Sequence, residues 1–145
     1  MKHLKKHVFL ISTLLWTGII FAFSLQSGDE SLLSSGIILN LLAFIMPFIK
    51  DPDKISLAVL LIRKTAHFTE YFILGFFYTK ATQETKRDKV LLLGCFIPIL
   101  DEGLQLFSPG RVASPIDMMI DLSGYLTGLI VCGSLMKLLK VFRKK

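Results

Sequence analysis

At 145 residues, with 52% hydrophobic side chains and a mean hydropathy of +0.61, the chain has room for one domain and is too apolar for an ordinary soluble one. Its formal net charge of +6 accompanies apolar runs close to bilayer-spanning length, so the basic residues read as membrane-flanking and not as a nucleic-acid surface. Cys95 and Cys132 both fall inside apolar runs, which excludes a disulfide framework and a cysteine metal knuckle.

The first run, VFLISTLLWTGIIFAFSL (8–25), follows Lys2, Lys5 and Lys6 and reads as an uncleaved first span. A cleavable signal peptide ending near Ala22-Phe23-Ser24 is the competing reading. The second run, 31–49, is interrupted by Gly36, Asn40 and Pro47. The third element starts at Asp51-Pro52, a capping residue followed by proline at the first helical position, and should reach about Thr79. At about 1.5 Å per residue that is about 40 Å, more than a hydrocarbon core, so its first turns belong in the headgroup region. The fourth run covers 90–107. SPGRVAS then makes a turn, and the last run goes from Pro115 to about Met136 behind an S-x-x-D capping signature at Ser114 and Asp117.

Charge decides which runs cross. If 31–49 does not span, most of the 17 basic residues share one side, and only Lys50, Lys54, Arg63, Lys64 and Arg111 fall on the other. The positive-inside rule then favours an all-α integral membrane four-helix bundle. Its spans are expected at about 8–25, 60–79, 90–107 and 115–136, within a single domain 1–145. Both termini are cytoplasmic in this arrangement, and 31–49 is a re-entrant or interfacial segment after the first span.

This topology gathers polar residues from three spans at one depth, in the outer half. Arg63, His67, Glu70 and Leu74 follow i, i+4, i+7, i+11 spacing and share a helix face. Asp101 and Glu102 sit three or four residues before Gln105. Asp117, Asp121, Gly124 and Gly128 form one stripe that continues into a G-x-x-x-G pattern suited to close helix approach. Ionisable groups at membrane depth are costly unless they face the bundle interior, so the three faces should turn toward one another and enclose a polar pocket that opens outward. Bland readings stand beside each residue. Asp117 can be only a cap, Arg63 and Lys64 can snorkel to headgroups, His67 and Glu70 can form a structural hydrogen bond, and Asp121 can be a helix–helix contact.

The segments RKTAHFTEYFILG and DEGLQLFSPGRVASPIDMMIDLSG, with FSLQS at 23–27, resemble the VanZ-like family over roughly residues 9–128. His67, Glu70, Tyr71 and Gly75 carry the first match. Asp101, Glu102, Gln105, Phe107, Pro109, Gly110, Arg111, Ser114, Asp117 and Gly124 carry the second. Asp121 stands where many relatives have Asn, which makes the pocket more acidic. The resemblance implies a small multi-pass protein of the bacterial cell membrane, sometimes linked to tolerance of lipoglycopeptides such as teicoplanin, and grouped by fold with enzymes that modify lipid head groups.

The residues suit an enzyme acting on a phosphate-bearing lipid head group or a lipid-linked cell-wall precursor at the outer leaflet. Arg111 and Arg63 can clamp a phosphate. His67, oriented by Glu70, can serve as general base or nucleophile. Asp101 or Glu102 can protonate the leaving group, Gln105 can orient a substrate hydroxyl, and Asp117 and Asp121 complete the substrate-binding set. Carboxylates and one histidine can also hold a divalent metal, although no spacing demands it. The alternative is a non-catalytic membrane binder of an antibiotic or lipid-linked precursor. A proton relay through His67, Glu70 and Asp121 ranks lower, because nothing ionisable continues through the inner halves of these spans.

Overall fold

The computed structural model describes residues 7–45, 51–85 and 90–143, and these residues form an all-helical fold. In chain order the elements are α1 (Val8–Ser24), α2 (Gly28–Ile45), α3 (Pro52–Thr85), α4 (Val90–Gly94), α5 (Ile97–Gln105) and α6 (Pro115–Phe142). No strand occurs among the described residues. The loop after α3 and the basic N-terminal residues, on which the expected topology leans, lie mostly outside them, as do Pro47 and Lys50.

α1 ends where Ser27 starts a new helix. The Ser27 N–H donates to Glu30 Oε2 at 2.8 Å, and the Glu30 N–H donates back to Ser27 Oγ at 3.3 Å. This reciprocal capping box satisfies two otherwise orphaned donors. It sends α2 off at a bend of 108° to α1, the corner that a re-entrant or interfacial segment needs.

Two expected elements differ from the sequence reading in length. α3 continues six residues beyond Thr79, to Thr85, and α6 continues beyond Met136 to Phe142. One differs in kind. The run 90–107 is no continuous helix but two pieces, α4 and α5, joined at Cys95-Phe96. Pro98 has no N–H to donate to the carbonyl of Gly94, and its ring crowds that carbonyl, so an α-helix cannot pass through. Tighter turns replace it, with Cys95 N bonded to Leu92 O at 3.2 Å and Phe96 N to Leu93 O at 3.1 Å. The ring of Tyr125 fills the place that a Gly94 side chain would take.

α3 is the central helix: α1, α2, α4 and α6 all pack on it, most extensively α6. The α3–α6 contact is backbone on backbone. A Cβ added at Gly75 would lie 2.2 Å from the Tyr125 carbonyl oxygen, one at Gly124 2.4 Å from that of Phe68, and one at Gly128 2.2 Å from that of Phe72. The expected small-residue stripe on α6 is therefore met by a glycine on α3. Beside this seam Ile20, Tyr71, Leu74, Ile97 and Tyr125 form the buried core, with Tyr78 and Tyr125 edge to face at 5.6 Å between ring centres.

Outside the core the helices present large apolar side chains, among them Leu14, Leu33, Phe44, Leu92, Met119 and Ile130. So broad an apolar surface suits lipid better than water. By length and composition α6 alone among the described helices can cross a bilayer, and α1 with α2 passes the same test only as a bent pair.

The seam makes a prediction. Gly128→Ala forces backbone apart and should cost about 1–3 kcal/mol, as overpacking does. Gly133 lies on the same helix with open space at its Cβ position, so Gly133→Ala should be neutral or stabilise by up to about 1 kcal/mol through helix propensity. Thermal unfolding of both variants in detergent checks the pair.

Candidate functional site

The stripe on α3 faces inward. Arg63, His67 and Glu70 line a cavity of about 200 Å³, together with Ser24 and Gln26 from the end of α1 and Ser31, Ser34 and Ser35 from α2. Arg111 closes it from the turn after α5.

That turn is held in place by the α1–α2 corner. Ser108 Oγ donates to the Ser24 carbonyl at 2.9 Å, and Gly28 N donates to the Pro109 carbonyl at 2.9 Å. The backbones come so close that a Cβ on Gly28 would lie 2.6 Å from Gly110 O. Gly110 has φ +73°, in the left-handed region where a side chain is strained. The chain then closes on itself through Arg111 N to Ser108 O at 3.1 Å, which turns the arginine back toward α3.

Arg111 is fixed further by a chain of hydrogen bonds. Its Nε donates to Gln105 Oε1 at 3.3 Å, and Gln105 Nε2 donates to Glu102 Oε1 at 3.1 Å. Glu102 Oε2 in turn accepts the Ser114 N–H at 2.6 Å, at the start of α6. Burial, and next the positive charge of Arg63, push the Arg111 guanidinium below its usual range, while Asp101, Glu102 and Asp117 act in the opposite direction. A guanidinium stays charged throughout the physiological range. Arg63 and Arg111 thus both face one cavity, with Glu70 as the carboxylate on its wall.

The other expected site residues stand behind this wall. Asp101 accepts from Ser24 Oγ on α1. Asp121 Oδ1 lies 3.1 Å from His67 Nδ1, so the histidine's hydrogen-bond partner is Asp121, on α6, in place of the Glu70 expected from the helix spacing. Lys64, read from sequence as snorkelling to headgroups, pairs instead with Asp117. Asp117 is also the residue whose N–H is capped by Ser114 Oγ, at 3.3 Å, as the S-x-x-D signature indicates. Gln105, Asp101, Glu102, Asp117 and Asp121 do not themselves line the cavity.

The serines of α2 are a part of the wall that sequence reasoning passed over. Ser31, Ser34 and Ser35 are spaced i, i+3, i+4, a one-face pattern that could have been found. Ser34 and Ser35 each bond a carbonyl one turn back, at 3.0 and 2.9 Å, which lets a hydroxyl sit in an apolar helix without an unpaired donor.

No curated protein and no solved structure matches this chain. The VanZ/LLP1 family model matches residues 9–137, and that stretch holds every side chain described above. The chain belongs to the VanZ/LLP1 family.

Proposed function

We propose that the protein binds and acts on the phosphate-bearing head group of a membrane lipid or lipid-linked cell-wall precursor at the outer leaflet. One observation carries this reading. The cavity with its two arginines adjoins a larger, mainly apolar cavity of about 620 Å³ between α1, α2 and α3. Phe23, Ile38, Ile62, Ala66 and Glu70 line both. A soluble phosphate has no use for the second chamber. A lipid phosphate needs both, one for its charge and one for its chain.

In this reading Arg63 and Arg111 hold the phosphate. Two hydrogen bonds from one planar guanidinium fix the orientation of a phosphate, which an ammonium cannot do. The serines of α2 supply neutral hydroxyls around it. His67 and Glu70 stand at the reacting side. The partition of the 17 basic residues supports a cavity at the external face, with the 108–114 turn outside and both termini cytoplasmic.

Two experiments test this. Arg111→Lys should weaken binding of a lipid phosphate by about ten- to a hundredfold, the loss of one charge-assisted hydrogen bond at about 1.5–3 kcal/mol. His67→Ala should leave binding within a few-fold and abolish head-group release or exchange by purified protein. If His67→Ala binds lipid normally and still confers the full cellular phenotype, a non-catalytic binder replaces the enzyme.

The topology has its own check, with single cysteines in a background lacking Cys95 and Cys132. Val112 and Arg143 both have exposed side chains. An impermeant thiol reagent should label Val112→Cys in intact cells and Arg143→Cys only after permeabilisation. The reverse pattern would invert the bundle.

A further inference from the structure

Behind the cavity wall lies a cluster that phosphate binding by the arginines does not use. His67, Asp101 and Asp121 come from α3, α5 and α6, and each offers a ligand atom within 4.8 Å of the others. Asp101 is 1% exposed and Asp121 0%. Two carboxylates at that depth against one imidazole leave an excess of negative charge where charge is expensive.

Two further atoms are out of balance. Asp121 Oδ2 is buried with no hydrogen-bond partner among the described residues. The same holds for the hydroxyl of Tyr71, a residue that is 0% exposed. That hydroxyl stands beside Asp101, an acceptor it can reach with a small rotation, so the Asp121 oxygen is the atom left without a partner. An unsatisfied buried carboxylate oxygen costs about 1–3 kcal/mol or more, and native folds rarely leave one without cause. The unpartnered oxygen of Asp121, beside a histidine and a second aspartate, makes up a ligand set that lacks its cation.

We propose that His67, Asp101 and Asp121 bind a divalent cation, with the Tyr71 hydroxyl as a neighbouring donor. One imidazole nitrogen and two carboxylates suit an ion that takes mixed nitrogen and oxygen ligands, of the Mn²⁺ or Zn²⁺ kind, better than an all-oxygen calcium site. An ion about 2.1 Å from each donor holds donor pairs about 3.0–3.6 Å apart, so side-chain movements of about an ångström close the set. The ion balances the aspartates and takes up the unpartnered oxygen of Asp121. His67 also lines the arginine cavity, so the ion stands beside the place given to the lipid phosphate. With the ion bound, His67 is a ligand, and Glu70 is the carboxylate left on the cavity wall to move a proton. The inference concerns binding alone and holds with or without lipid chemistry.

The test uses the full chain in detergent, stripped with EDTA and titrated with Mn²⁺, with free Mn²⁺ followed by electron paramagnetic resonance. A single bound Mn²⁺ per chain and a rise in Tm are expected. Asp101→Asn and Asp121→Asn keep side-chain shape and should each weaken binding at least about tenfold. Asp51→Asn, at the exposed start of α3, should leave it unchanged. Should the Asn variants fail to fold, electron spin echo modulation on wild-type protein must still show ¹⁴N coupling from one imidazole. No stoichiometric binding, no nitrogen coupling, or Asn variants that bind like wild type would each overturn the proposal. Lipid-phosphate binding measured in parallel on stripped protein keeps the two ideas apart: if it persists while Mn²⁺ binding fails, only the cation site falls.

Discussion

Everything in this molecule depends on the close approach of α3 and α6. Gly75, Gly124 and Gly128 let the two backbones meet with no side chains between them. That contact sets the rotation of both helices. With the glycines on the seam, His67 and Asp121 come within hydrogen-bond distance and Lys64 meets Asp117. A bulky side chain at Gly124, which packs on Phe68 next to His67, would push these pairs apart. Each ionisable group would then face an apolar surface alone, at a cost of several kcal/mol for each charge. The glycines therefore act on the site without touching it.

The second constraint is the contact between two chain reversals. The α1–α2 corner and the turn after α5 share one backbone hydrogen bond and one from the Ser108 hydroxyl, and Gly28 and Gly110 permit their closeness. Through this contact one arginine on a loop becomes as fixed as one on a helix. Preorganisation of this kind matters for anion binding, because the flexibility of a loop would otherwise be lost at the moment of binding.

Much of this was legible in the sequence. The inward stripe Arg63-His67-Glu70 follows from helical spacing and from the cost of charge in lipid. The 108° corner after α1 is in keeping with the re-entrant or interfacial segment expected there, and the capping of α6 by Ser114 follows from its signature. What was missed has physical reasons. Continuity of 90–107 was assumed from hydropathy, which does not register that Pro98 removes the hydrogen bond to Gly94. Helical spacing offers His67 the partner Glu70 on its own helix, because i+3 neighbours are visible in one dimension and a partner across a seam, Asp121, is not. The pairing of Lys64 with Asp117 has the same cause. The Ser27–Glu30 capping box was present in the sequence and explains the corner that hydropathy could only suggest.

The central claim is that two guanidiniums and an adjoining apolar chamber accommodate a lipid phosphate. Its most direct test is an experimental structure of the protein in lipid nanodiscs supplemented with a lipid phosphate. The account predicts density for the phosphate within hydrogen-bond distance of both Arg63 and Arg111, with its chain running between α1, α2 and α3 past Phe23 and Ile62. Phosphate density elsewhere on the protein, with the arginine cavity holding only water and the apolar chamber collapsed, would contradict it.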